Sequence, residues 1–149
     1  MRFFTDENFE DGTAYKKYER YCRANWQYFP KELKVIQFGQ LPEEMLSNLD
    51  KINLHDSRVL DFNQHRDTIT IKLKVIFFDT SKVVIFRYFN VKNSDIPDIN
   101  LLGGDIENPN SDLMRHEVHI DKNFFTHTIL FASGKFLKIH FHKMEISEL

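Results

Sequence analysis

Thr68-Ile69-Thr70-Ile71-Lys72-Leu73-Lys74-Val75-Ile76-Phe77-Phe78 decides the fold. Ile69, Ile71, Leu73, Val75 and Phe77 alternate with Thr68, Thr70, Lys72 and Lys74, a period of two that gives one apolar and one wet face. A strand wet on one side belongs in an antiparallel sheet. After a turn around Thr80-Ser81, residues 82–91 interleave Val83, Ile85, Phe89 and Val91 with Val84, Phe86 and Tyr88, so both faces read as mostly apolar and the strand as central. Working outward, residues 54–62 read as an earlier strand, and 113–120, 124–132 and 135–146 as three later ones. Turns at Asp121-Lys122-Asn123 and Ser133-Gly134 join the last three.

Upstream the period lengthens to about 3.6. Tyr15, Tyr18, Cys22, Trp26 and Phe29 form one helical stripe, opposite Lys16, Lys17, Glu19, Arg20 and Arg23. Thr5 or Asp6 suits the cap of an opening turn, and Asp11 or Thr13 the cap of the main helix. Pro30 ends that helix. Residues 31–40 fit neither period, whereas Pro42, Glu43 and Glu44 followed by Met45, Leu46 and Leu49 predict a second short helix. The expected fold is therefore α+β, one domain over 1–149. Its helical part, 1–50, packs on one face of a mostly antiparallel, about six-stranded meander over 54–146, curled toward a half-barrel. The stripe of Tyr15, Tyr18, Trp26 and Phe29 is expected to cover Leu73, Val75, Phe86 and Tyr88. Residues 93–112, with two Pro, the Gly103-Gly104 pair and several Asn and Asp, form a loop long enough to expect a functional or mobile role.

Composition narrows the chemistry. The 149 residues are 42% hydrophobic and 28% charged, which excludes a disordered or collagen-like chain. A net charge of -2 supplies no basic field for nucleic acid or anionic lipid, so neither is an expected partner. No run approaches the roughly 20 apolar residues that cross a bilayer. Met1-Arg2-Phe3-Phe4-Thr5-Asp6-Glu7 turns acidic before an apolar stretch forms, so no signal peptide is expected. The single Cys22 has no intramolecular partner, consistent with a reducing compartment, and the expected location is the cytoplasm. Fifteen Phe against 5 Gly point to aromatic packing rather than a phosphate loop.

The histidines are the richest constellation. With Ser133-Gly134 as a two-residue turn, His127 lies opposite His140, and His142 points the same way. The Asp121-Lys122-Asn123 turn leaves two registers open. One adds His116 and Val118 to the face of His127, the other Glu117 and His119. The second gathers Glu117, His119, His127, His140 and His142, an N/O set suited to zinc or another transition metal. Ordinary packing of these histidines is the competing reading, since no H-E-x-x-H or paired C-x-x-C spacing is present.

Other motifs are weaker. In Leu54-His55-Asp56-Ser57, neighbours on a strand point to opposite faces, so His55 is not expected to be oriented by Asp56. Asp56 or Ser57 is instead expected to bond backbone at the entry to the sheet. Cys22 reads as core. Gly103-Gly104-Asp105 lacks the surroundings of a phosphate cradle. Lys72, Lys74 and Arg87, with Phe78 and Phe89 nearby, read as a solvated face rather than a single-strand nucleic-acid platform.

Met1-Arg2-Phe3-Phe4-Thr5, Leu54-His55-Asp56-Ser57, Glu117-Val118-His119, His127-Thr128-Ile129-Leu130-Phe131 and Ser133-Gly134 together resemble an uncharacterised family of small bacterial proteins of unknown function. Helices followed by an antiparallel meander are more loosely similar to single-domain immunity proteins, which neutralise toxins by binding them. The resemblance carries over no functional residue. With no catalytic constellation evident in the sequence, the expected function is a small cytoplasmic protein-binding module, immunity-like and without catalytic residues or cofactor, whose partner is another protein. The alternative is a metal-dependent, hydrolase-like enzyme with His127, His140 and His142 as ligands and Glu117 as base. The sequence fixes no oligomeric state.

Overall fold

The computed structural model describes residues 1–77, 79–92 and 112–149. The Thr5 hydroxyl accepts the Asn8 N–H at 3.2 Å and caps α1 (Asp6–Glu10). Helix α2 (Ala14–Asn25) buries Ala14, Tyr18 and Cys22, a stripe at spacings of four, and tightens into a 3₁₀ turn at Trp26–Tyr28. The ambiguous stretch after Pro30 opens as α3 (Lys31–Val35), with Leu33 and Val35 buried. The short helix expected after Pro42 is a single 3₁₀ turn, Glu43–Leu46, anchored by buried Leu46.

Seven strands follow among the described residues, in two antiparallel sheets rather than one six-stranded meander. The first sheet runs β1-β2-β3-β7, from β1 (Arg58–His65), β2 (Thr68–Phe77), β3 (Thr80–Phe89) and β7 (Lys143–Glu148). The second runs β4-β5-β6, from β4 (Leu113–Asp121), β5 (Phe124–Phe131) and β6 (Phe136–Phe141). The expected single strand over 135–146 breaks at His142. Leu137, Ile139 and Phe141 are buried before the break and Met144 after it, so the inward parity changes from odd to even. A strand of period two keeps both sets inside only through a bulge or a change of sheet, and here the chain changes sheets. The His142 N–H donates to the Phe89 carbonyl at 3.0 Å, which carries the chain from the edge of β5 to the edge of β3.

The sheets also meet at a second corner. Arg58 bridges Asp112, Leu113 N–H donates to the Ser57 carbonyl at 2.8 Å, and the Arg58 guanidinium grips the Asp112 carboxylate at 2.6 and 3.1 Å. Between these corners the apolar faces share one core. Tyr88 packs on the second sheet, its ring centroid 4.9 Å from that of Phe141. Within the helical stripe Tyr18 packs on Phe3 and Phe4 and joins the same core cluster as Leu73, Val75, Phe86 and Tyr88, while Tyr15 stays 44% exposed. The expected loop over 93–112, with Gly103-Gly104, lies outside the described residues apart from Asp112. Among the described residues no helix is long and apolar enough to cross a membrane.

Candidate functional site

Hairpin register settles where each histidine goes. The β5–β6 loop takes Ala132, Ser133 and Gly134, with Gly134 at φ +84° and the Phe131 N–H donating to the Lys135 carbonyl. That is one residue longer than the two-residue turn expected from Ser133-Gly134. His127 therefore pairs with Ile139, and His140 with Thr126. A slip of one residue exchanges faces, so His127 and His140 point opposite ways. At β4–β5 the loop is Lys122-Asn123, and Val118 opposes His127 while His119 opposes Thr126. His116 and Val118 share the inner face with His127, and Glu117, His119 and His140 lie on the outer one. The five-residue metal set is thus divided between the two faces. Among the described residues no three His, Cys, Asp or Glu side chains are grouped to hold a metal ion.

On the inner face a polar chain crosses the core. The Tyr88 hydroxyl lies 2.9 Å from His127 Nδ1, and His127 Nε2 lies 3.1 Å from His116 Nδ1. His116 also bonds the Ile36 backbone carbonyl. One direction satisfies every group: Tyr88 donates to His127, His127 to His116, and His116 to Ile36. Both imidazoles are neutral in this arrangement. Burial pushes His116 down to about 4, partly opposed by Ile36 and Glu117, and burial with the neighbouring His116 holds His127 well below its ordinary value. Burial likewise raises the Tyr88 hydroxyl, so it stays a donor.

Glu117 faces the other way and binds the start of the chain. Its Oε1 accepts the N–H groups of Phe3 and Phe4 at 2.7 and 2.6 Å, and Oε2 accepts that of Arg2 at 2.8 Å. His119 Nε2 completes the set at 2.9 Å from Oε2, with its ring stacked on Phe3. Burial pushes the Glu117 carboxyl up, but the bonds from His119, Phe4, Arg2 and Phe3 outweigh it and hold it below its ordinary value. The carboxylate proposed as a general base is occupied as a backbone anchor.

Sequence reasoning missed what covers the outer edge of β4. The N–H groups of His116, Val118 and Ile120 donate to Gln40 Oε1, Tyr18 Oη and Tyr21 Oη at 3.0, 3.0 and 2.8 Å. Three side chains thus stand where a neighbouring strand would, which closes this edge to strand addition. The i, i+3 pair Tyr18 and Tyr21 was the available signal, since buried tyrosines need partners for their hydroxyls. His140 and His142 gather outside, around Phe124, with ring centroids 5.0 and 5.8 Å away and the Lys92 ammonium 5.2 Å from the same ring.

Among several concave features of the described residues, a cleft of about 350 Å³ lies between the helical part and the start of β4. Tyr15, Phe38, Leu54 and Met114 give it apolar walls, and Gln40, Asn53, His55, Asp56 and Arg115 give it polar ones. His55 and Asp56 sit in a turn, not on a strand, with Asp56 at φ +63°. Freed from strand alternation, His55 Nδ1 lies 3.3 Å from Asp56 Oδ1, contrary to the expectation that Asp56 does not orient it. Ser57 completes no triad, because its hydroxyl donates to the Leu54 carbonyl at 2.7 Å. The Arg115 guanidinium carbon lies 4.2 Å from the centroid of the Phe9 ring, and its buried Nε has no hydrogen-bond partner among the described residues.

No family model matches the chain, and no curated protein matches it. A solved structure described as an uncharacterized protein from Neisseria gonorrhoeae is similar to it at a TM-score of 0.46 and 14% identity, over 66% of this chain and 97% of the other. That degree of likeness transfers no family, site or activity.

Proposed function

We propose that the protein is a small protein-binding module that acts by presenting a surface, and that the cleft between Tyr15, Phe38 and Met114 is where it engages another protein. Arg115 carries this reading. Its Nε–H is buried with no hydrogen-bond partner among the described residues, which costs about 1–3 kcal/mol unless a ligand, an ion or a water supplies the acceptor. Support also comes from the groups with catalytic chemistry described above. Glu117, His116, His127, Tyr88 and Ser57 are each committed to a bond that holds the fold together. The apolar walls add the desolvated area that binding sites need.

Native mass spectrometry of untagged protein from its own host tests the reading, with Met114→Lys as the blocking variant. Met114 is 40% exposed on the cleft wall, so the change leaves the core intact. The expected result is a second polypeptide on the wild-type protein and its loss from the variant at unchanged Tm. A bare chain carrying one equivalent of a transition metal overturns the reading in favour of the metal-dependent enzyme.

A further inference from the structure

The hydrogen-bonding inventory of the cleft is one-sided. Gln40 Oε1 is taken by the His116 N–H, which leaves its amide NH₂ with only a long 3.5 Å contact to Gln37. Asn53 Oδ1 is taken by the His55 N–H at 3.1 Å, which leaves its NH₂ as a donor too. The Arg115 guanidinium has no acceptor atom, and its buried Nε–H has no partner among the described residues. Both amide orientations follow from the backbone N–H groups they accept, since an NH₂ in either place would face a donor. The polar wall is therefore rich in donors. A ligand that completes it brings acceptors.

Arg58 shows what an arginine at this corner does with an acid in reach: it holds Asp112 through two bonds. Arg115 sits three residues beyond Asp112 with its guanidinium carbon 4.2 Å from the centroid of the Phe9 ring, a cation–π contact that restrains its head. Asp56 is the acid lining the cleft. Its side chain is 74% exposed and faces His55, so water screens its repulsion of an anion. His116, held neutral, adds no second positive charge. One guanidinium with two neutral amides matches a planar monoanion, and a phosphate dianion would leave charge uncompensated.

We propose that the cleft is a carboxylate-binding site, with Arg115 as the bidentate anchor, Gln40 and Asn53 as flanking donors, and the Tyr15, Phe38 and Met114 walls receiving an apolar or aromatic body. The proposal rests on the cleft being the working surface. It takes that reading further by naming the group recognised.

The test is an amide NMR titration of the full chain with 3-phenylpropionate, using 3-phenylpropanamide as the neutral control. Saturable shifts at His55, Met114 and Arg115 with the acid, and none with the amide, are expected. Arg115→Met should weaken binding at least about tenfold. Arg115→Lys, which keeps the charge and loses the fork, should fall between it and the wild type. Tetrapeptides ending in phenylalanine, with free or amidated C-termini, separate the sources. Tighter binding of the free-acid peptide than of 3-phenylpropionate assigns the carboxylate to a polypeptide, and equal binding assigns it to a small molecule. Equal binding of acid and amide, tighter binding of inorganic phosphate, or unchanged affinity in both Arg115 variants overturns the proposal. If it fails while Met114→Lys still releases the co-purified polypeptide, the binding module stands without the carboxylate assignment. If Met114→Lys releases nothing either, the cleft is not the working surface.

Discussion

The Tyr18 hydroxyl accepts the outward N–H of Val118 at 3.0 Å and donates to Gln37 Oε1 at 2.9 Å, so one helix side chain closes the edge of β4 in the middle of the protein. Tyr18→Phe keeps the ring and strands a buried backbone donor. It should cost about 1–3 kcal/mol in urea unfolding. With Tyr21→Phe added, the exposed N–H groups of Val118 and Ile120 form an open edge, and sedimentation velocity should show self-association absent from the wild type.

Acid should unfold the protein in two stages. His116 and His127 are depressed in the folded state, so the unfolded chain binds more protons below its ordinary histidine value of about 6.5. Stability is complete above that value and falls as pH drops through the window toward about 4, where His116 titrates in the fold. Each buried imidazole contributes up to about 1.4 kcal/mol per pH unit there. Urea midpoints at pH 7, 6 and 5 should fall steeply for the wild type and less steeply for His127→Gln.

Glu117 governs the lower stage. Its folded carboxyl is held below the ordinary value, so its stabilisation is present above about 4.5 and is lost as pH falls through the folded value. Glu117→Gln keeps one acceptor oxygen and turns an NH₂ donor on the N–H of Arg2 or on those of Phe3 and Phe4, so part of the backbone anchor is lost with the charge. A loss of roughly 2–3 kcal/mol is expected. Hydrogen exchange at Phe3 and Phe4 should accelerate at pH 7 beyond the change in global stability.

Cys22 should be chemically silent in the folded protein. Burial pushes its thiol up to about 12, so thiolate is scarce and reagent access is closed. Iodoacetamide labelling followed by mass should track global unfolding in urea. Labelling in native buffer at the rate of a free thiol would contradict this burial.

Gly134 sits at φ +84° with open space around the position of an added Cβ, so a side chain there meets backbone strain and no clash. Gly134→Ala should cost about 1 kcal/mol, and Gly134→Asn less, because Asn tolerates the left-handed region. The pairing of His127 with Ile139 should survive in both, read from cross-strand NMR contacts.

The sequence by itself determined the antiparallel character of the β region, the burial of Ile69, Ile71, Leu73 and Val75, and the stripe of Tyr18 and Cys22, because periods of two and 3.6 record which side faces water. It also held an unread clue, the change of apolar parity between Phe141 and Met144 that divides β6 from β7. Tertiary structure alone decided the register of the last two hairpins. The choice between a two- and a three-residue loop lies in the backbone angles at Gly134 and Lys122, and no hydrophobic pattern separates them when both faces of β5 are largely covered. That single residue placed His127 in the core with His116 and Tyr88, and His140 outside beside Phe124. The Arg115 cleft was beyond sequence reading for a related reason. A missing hydrogen-bond partner is a property of everything packed around a group, and no local spacing encodes it.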